Sequence, residues 1–258
     1  MLRFRSLGSG SSGNATLIEA HDGITVTRVV VDCGFGLRQF DSRLARVGLQ
    51  ASQIDALFVT HEHADHVGCA RQLCERDPIT LLTSHGTWTA MGSPDLGARL
   101  RIVRDLDPVA VGGLAITPFT VPHDAREPLQ LRCTDGDRVL GVLTDLGQPT
   151  PHVLSQLEHA HALLLECNHD PDLLSRSGYP AFLKRRVAGG NGHLSNAQAA
   201  DIASRIRHSG LGAVVAAHLS QQNNRPELAL AALAQALERV EDELIVASAE
   251  AGTDWIPV

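Results

Sequence analysis

Leu57-Phe58-Val59-Thr60-His61-Glu62-His63-Ala64-Asp65-His66 decides the fold. Its apolar half, within residues 56–60, reads as a buried strand: short, β-branched and aromatic, with no polar face. Three histidines and an aspartate follow at once. His61 and His63 are two apart, so an extended backbone points both the same way, suited to gripping one metal ion. Asp65 and His66 come after the chain begins to turn and point elsewhere, toward a second ion. Imidazole and carboxylate ligands without cysteine suit zinc, manganese or iron. With 13 His in 258 residues, three within six positions make a metal pattern rather than an ordinary polar loop.

The length suits one large domain or two small ones and is enough to bury a real core. No Pro, Gly or Ser-rich linker is long enough to divide the chain, which predicts a single hydrolase domain over residues 1–258. The formal charge of −7 argues mildly against a protein coated in nucleic-acid phosphate, though not against a local basic patch. Cys33, Cys69, Cys74, Cys133 and Cys167 are odd in number and lack metal-type spacing, so they read as reduced, buried thiols. The N-terminus runs into Leu2-Arg3-Phe4-Arg5 without a charged-then-apolar leader, and no apolar run approaches the ~20 residues of a membrane span. Both features predict a cytoplasmic protein with no membrane partner.

Outward from the motif, residues 2–7, 15–19 and 25–32 read as strands, and Asp32-Cys33-Gly34 ends the third. The small-residue loop from Gly8 to Asn14 is either a flexible turn or a phosphate-donating wall that includes Ser12 and Asn14. Leu37, Phe40, Leu44 and Val47 predict a helix closed by Gly48. Residues 67–76 predict another, and His85 reads as a structural loop residue. Residues 79–83, 100–103 and 109–121 supply strands, with Gly112-Gly113 as a hairpin turn. Further apolar strands run into His123-Asp124, Asp145, Asn168-His169 and His218. Polar groups at so many strand ends fit a site at one edge of a layered α/β domain. Ser195-Asn196-Ala197-Gln198 is a capping box, Pro226 opens a last helix, and residues 243–247 predict a final strand.

The motif His61-x-His63-x-Asp65-His66 after an apolar strand resembles the signature of the metallo-β-lactamase superfamily. That resemblance implies an α/β fold, a four-layer αββα sandwich of two mixed sheets with helices on the outer faces. It also implies two divalent ions, Zn2+ or Mn2+. His61, His63 and His123 then resemble the ligands of the first ion, and Asp65, His66 and His218 those of the second. Asp145 resembles the bridging carboxylate, and Asp65 also has a place among the catalytic residues. Familiar lactamases lack that bridging carboxylate and are usually exported, which argues against a lactamase.

Gly192-His193-Leu194-Ser195 resembles the general-acid element of ribonuclease Z and of phosphoribosyl cyclic phosphodiesterases. Ser9–Asn14, Pro122–Ala125, Glu166–Asp170, Tyr179–Val187, Gly192–Asn196 and His218–Asn224 together resemble the YycJ/WalJ subgroup over most of the chain. The resemblance implies a metal-dependent phosphodiesterase, a DNA exonuclease with nucleic acid as substrate. In such an enzyme a metal-bridging hydroxide attacks and His193 protonates the leaving oxygen. Asn168 and His169 are candidate substrate contacts. Lys184-Arg185-Arg186, the one dense basic cluster, is either a phosphate contact or a solvated helix face. The alternative is a hydrolase of a small phosphodiester or a thioester. Aromatics at 3% predict no broad base-stacking platform. The sequence assigns no oligomeric state.

Overall fold

Short apolar and β-branched runs become buried strands, and amphipathic runs become the helices that cover them. The structure, a computed structural model, describes residues Met1–Val258. One sheet contains β1 (Leu2–Gly8), β2 (Ala15–His21), β3 (Val26–Val31), β4 (Ala56–Val59), β5 (Thr80–Thr83) and β6 (Leu100–Ile102). The other contains β7 (Val109–Val111), β8 (Leu114–Thr120), β9 (Leu129–Thr134), β10 (Val139–Leu143), β11 (Ala162–Glu166), β12 (Ala213–Ala217) and β13 (Ile245–Val246). The chain then returns, and β14 (Ile256–Pro257) pairs with β1 at the edge of the first sheet.

The helices are α1 (Leu37–Arg46), α2 (Ala64–Val67), α3 (Ala70–Arg76), α4 (His85–Ala90) and α5 (Pro151–Leu157). They continue with α6 (Pro171–Arg176), α7 (Ala181–Val187), α8 (Asn196–Ile206) and α9 (Pro226–Leu237). Phe4, Ile18 and Phe58 of the first sheet pack on Ile116, Leu131 and Val142 of the second. The outer face of the first sheet buries Leu57 and Val59 against Phe40 and Leu44 of α1 and Leu73 of α3. The outer face of the second buries Leu163 and Leu165 against Val153 of α5, Ile202 of α8 and Leu233 of α9. These are the four layers of the expected αββα sandwich. No helix is long and apolar enough to cross a membrane.

The two sheets repeat one pairing scheme. In the order β14-β1-β2-β3-β4-β5-β6, three antiparallel junctions precede three parallel ones. The order β7-β8-β9-β10-β11-β12-β13 does the same. The strands at the switch, β3 and β10, hold equivalent places. Each leads into an aspartate with left-handed backbone: Asp32 at φ 63° and Asp145 at φ 55°. Aspartate tolerates that conformation better than most residues. Periodicity alone does not reveal this duplication, because the two halves share a fold and not a sequence.

Several expectations need correction. The helix expected over residues 67–76 is two helices, α2 and α3. Gly68 breaks it with φ 31°, in a place where a Cβ would meet the Cys33 carbonyl oxygen at 2.3 Å. His85 opens α4 behind the N-cap Ser84 instead of lying in a loop. Strand β9 was not expected, because Gln130 and Arg132 interrupt its apolar run. The hairpin turn at Gly112-Gly113, between β7 and β8, is present, and so is the Ser195/Gln198 capping box.

Backbone approach between neighbouring loops places the motif. A Cβ on Gly34 would lie 1.8 Å from the Asp65 carbonyl oxygen, which already accepts from Asn14 N at 2.8 Å. Gly34→Ala should therefore lower stability by roughly 1–3 kcal/mol, the usual range for overpacking. Gly178→Ala, where a Cβ would meet nothing within 4 Å, is the control. Urea denaturation of both variants checks this, and equal midpoints would contradict it.

Candidate metal centre and cleft

The loops following β4, β8, β10, β11 and β12 meet at one edge of the sandwich. They deliver His61, His63, Asp65 and His66, then His123, Asp145 and His218, beside Glu166 at the end of β11. Ligand-type atoms of His61, His63 and His123 all lie within 4.8 Å of one another, as do those of Asp65, His66 and His218. Asp145 groups with His61 and His66, and also with Glu166, His193 and His218.

Outer contacts fix which ring nitrogen of each histidine faces inward. His61 Nδ1 lies 3.0 Å from Thr60 Oγ1, whose hydroxyl donates to Asp32. His63 Nε2 lies 3.3 Å from the Asp124 carbonyl oxygen, and His66 Nδ1 lies 2.8 Å from Asp32 Oδ2. His123 Nδ1 lies 2.9 Å from the Gly192 carbonyl oxygen. His218 Nδ1 lies 3.3 Å from Glu166 Oε1. Each oxygen accepts an N–H, so the other ring nitrogen is the one that faces inward, carrying a lone pair wherever the imidazole is neutral. His123 Nε2 and His63 Nδ1 then face each other at 3.3 Å. His218 Nε2 lies 3.3 Å from Asp65 Oδ2.

Two buried inner atoms have no hydrogen-bond partner: His61 Nε2 and Asp145 Oδ2. His66 Nε2 approaches that oxygen to 2.7 Å, yet Asp145 Oδ2 receives no directed hydrogen bond. Orphaned inner atoms behind a fully tied outer layer are what cation ligands look like. The donor set, nitrogen and carboxylate oxygen without sulfur, fits a divalent metal.

Charge divides the centre in two. Burial holds His61 well below its usual pKa and His123 below it, so this half presents neutral imidazoles. Burial also disfavours charge on His66 and His218, but carboxylates outweigh it. Asp145 and Asp32 hold His66 well above its ordinary value, while Asp145, Asp65 and Glu166 hold His218 up at about 10. A cation entering this second half must expel protons.

Beside the centre is a cleft of about 190 Å³ whose wall includes Ser11, Asp124, Leu183, Arg186 and His193. His193 Nδ1 lies 2.7 Å from Glu166 Oε1, which leaves Nε2 free. The other expected substrate contacts are distributed differently. Asn14 is buried, its amide donating to the Asp65 carbonyl oxygen at 3.1 Å and to Asp65 Oδ2 at 3.3 Å. Asn168 is buried and donates to the His218 carbonyl oxygen at 3.0 Å. His169 is buried behind both, its carbonyl bonded to Asn196 N. These three brace the ligand loops and do not line the cleft. Ser11, not Ser12, faces the cleft. Within the basic cluster, Arg186 lines the cleft and pairs with Asp124 at 2.5 Å. Lys184 Nζ donates to the Ser175 carbonyl oxygen at 2.6 Å, and Arg185 is exposed.

Sequence reading missed two supports. Buried Gln130 accepts from Thr144 N at 2.9 Å, and its amide donates to the Thr144 carbonyl oxygen, pinning the residue before Asp145. Glu166 joins His193 to His218 and accepts from Leu146 N at 2.8 Å. Its apolar neighbours on β11 gave no sign of a site residue beyond the carboxylate at the strand end. Asp32, at the end of its strand, accepts from Thr60 N at 2.8 Å and lies 2.8 Å from His66 Nδ1, supporting both.

The family model described as a beta-lactamase superfamily domain matches residues 27–218. The chain belongs to the metallo-β-lactamase superfamily. It is 32% identical to the exodeoxyribonuclease WalJ of Streptococcus pneumoniae over 232 residues, 88% of this chain and 85% of that protein. It is 28% identical to the exodeoxyribonuclease YycJ of Bacillus anthracis, over 92% of this chain and 89% of that one. Among solved structures, the metallo-β-lactamase fold protein YhfI of Bacillus subtilis superposes with a TM-score of 0.75. That superposition covers 99% of this chain and 98% of YhfI at 17% identity, and so speaks for the fold alone. As a member of the superfamily with this centre, the chain is a metal-dependent hydrolase.

The raised His218 pKa sets a pH dependence. Between the unfolded value near 6.5 and about 10, the metal-free native chain binds more protons than the unfolded one. Its stability should therefore fall as pH rises through that window. Metal loading requires neutral imidazole, so it should release protons and remove this slope. Thermal unfolding at pH 7 and pH 9.5, with and without divalent metal, checks both expectations. A metal-free protein equally stable at the two pH values would contradict them.

Proposed function

We propose that this superfamily member is a two-metal phosphodiesterase that digests DNA from an end. His61, His63 and His123 would hold one ion, Asp65, His66 and His218 would hold the other, and Asp145 would serve both. Asp65 contributes to catalysis as a ligand at the cleft wall. Zn2+ and Mn2+ both suit the donor set. Such a pair supplies an activated water and stabilises negative charge on phosphate oxygens. The exodeoxyribonuclease relatives support DNA as the substrate. So does the size of the cleft. Its ~190 Å³ is below the 300–1,000 Å³ usual for pockets that enclose a small ligand. It takes the scissile diester and leaves the rest of a long substrate outside. The five cysteines are all free and buried, which supports a reducing, cytoplasmic setting.

One observation carries the mechanism: His193 stands in the cleft wall with one nitrogen tied to Glu166 and the other free. Burial alone would lower its pKa, but in the metal-free chain the carboxylates of Glu166 and Asp145 outweigh that and raise it. As the acid of the reaction, His193 would be oriented by Glu166, with Nε2–H offered to the departing sugar oxygen. An alkoxide leaves poorly near neutral pH, so this proton must arrive during bond breaking. Arg186 offers its guanidinium to the entering phosphate in exchange for Asp124, while Ser11 and Ser12 lie on the facing loop. Arg185 and Lys184 add positive charge outside the cleft. Asn14, Asn168 and His169 contribute as braces.

Metal analysis of the purified protein should find about two divalent ions per chain, and Asp145→Ala should lower occupancy and abolish turnover. Full metal content and full activity in that variant would overturn the two-metal reading. His193→Ala should retain the metals yet slow DNA cleavage by roughly 10²–10⁴-fold, the usual worth of a positioned acid. A diester with an acidic phenol leaving group should lose far less, because the phenolate departs unaided. Equal losses on both substrates would assign His193 to positioning.

A further inference from the structure

Helix α7 is unusual in this fold: none of its residues is buried. Its inward stripe, Leu183, Arg186 and Val187, forms part of the cleft wall. Phe182 lies one position before Leu183 and four before Arg186, so it shares a helical face with Arg186 one turn away. It is 66% exposed, while the other five phenylalanines are buried and Tyr179, Trp88 and Trp255 are half-buried. Burying a phenylalanine is worth about 1.5–3 kcal/mol, and that gain is forgone here. The chain thus leaves its one exposed aromatic ring beside the cation that enters the cleft.

We propose that Phe182 is a stacking platform for a nucleobase adjoining the scissile phosphodiester, and that it works as a unit with Arg186. The proposal rests on the DNA reading above and deepens it. Four features select a nucleotide as the occupant. The cleft, at about 190 Å³, is below the usual size of a site that encloses a small ligand, so a base attached to the bound phosphate would emerge at the rim. Phe182 is next in sequence to Leu183 and one helical turn from Arg186, both of which line the cleft. Arg186, on the same face, supplies the positive charge that a phosphate requires, and its present partner Asp124 is a carboxylate that a phosphate oxygen can replace. Arg185, exposed and without an ion pair, extends the positive charge along the same short helix. An aromatic face beside a guanidinium suits an alternating base–phosphate polymer, since every base has a π-face and every link carries a charge. A single platform of this kind fits a chain with few aromatics, because it holds one base at the reacting end and does not track a long strand.

Steady-state kinetics of the metal-loaded enzyme test this on a short DNA duplex, on the same duplex with abasic residues flanking the scissile link, and on a chromogenic phosphodiester without a base. Phe182→Ala should raise KM for the normal duplex roughly 5- to 150-fold, the usual worth of one stacked base, relative to any change on the chromogenic diester. Wild type should suffer a similar loss on the abasic duplex, and the Ala variant should lose little further. Phe182→Trp should restore the wild-type KM, whereas Phe182→Leu, apolar but not aromatic, should not. A fluorescent 2-aminopurine at the adjoining position should be quenched on binding wild type and less so on binding Phe182→Ala. An unchanged KM in Phe182→Ala, or full rescue by Phe182→Leu, would overturn the stacking platform while leaving the nuclease reading intact. Failure of wild type to cleave any DNA while it cleaves the chromogenic diester would overturn both.

Discussion

His66 is held between two aspartates. Its Nδ1 lies 2.8 Å from Asp32 and its Nε2 2.7 Å from Asp145, and all three side chains are almost wholly buried. The two aspartates follow the equivalent strands β3 and β10, one from each sheet, so this imidazole sits on the seam between the halves. Carboxylates buried there cannot stand without positive charge, since an unpaired buried charge costs several kcal/mol. Protons supply that charge in the metal-free chain. Divalent metal held by the neighbouring ligand groups would supply it in their place. The architecture of the centre follows from this need: the seam is stable only when something cationic occupies it.

Backbone geometry adds a second constraint. Asp32, Asp145 and His218 all adopt left-handed φ, at 63°, 55° and 54°. Such residues cost roughly 1–3 kcal/mol each and persist where the surroundings over-determine them. Parallel ladders lead into each turn, and the turns are pinned by Thr60 on Asp32, Gln130 beside Asp145, and Ser9 with Asn168 on His218. Ser9 comes from the other half of the chain, whereas Thr60, Gln130 and Asn168 lie on or just beyond the neighbouring strands β4, β9 and β11. The strained turns thus aim their side chains across the seam and hold them against thermal averaging.

That distribution explains what the sequence discloses. Residues 57–66 are legible because strand, turn and four candidate ligands are contiguous, and the local period of two sets their directions. His123, Asp145 and His218 are single polar residues at the ends of apolar runs, and the resemblance to a family was needed to gather them. Gln130 and Glu166 escaped because their partners lie 14 to 52 positions away and no local pattern announces them. Asn14, Asn168 and His169 looked like substrate contacts because a polar residue beside a ligand reads the same whether it faces the cleft or stands behind it. The break at Gly68 is nonlocal too, imposed by the approach of the Cys33 backbone.

The chain carries −7, and the cleft wall includes Asp65, Asp124 and Asp145, a poor receptor for a polyanion. The free cations near the opening are few: Arg186 is already paired with Asp124, and Lys184 is turned to a backbone carbonyl. Divalent metal held by this cluster would bring positive charge to the place where an anion has to approach. The rim can then supply orientation, and the short helix α7, with Arg185, Arg186 and one exposed ring, is suited to that task.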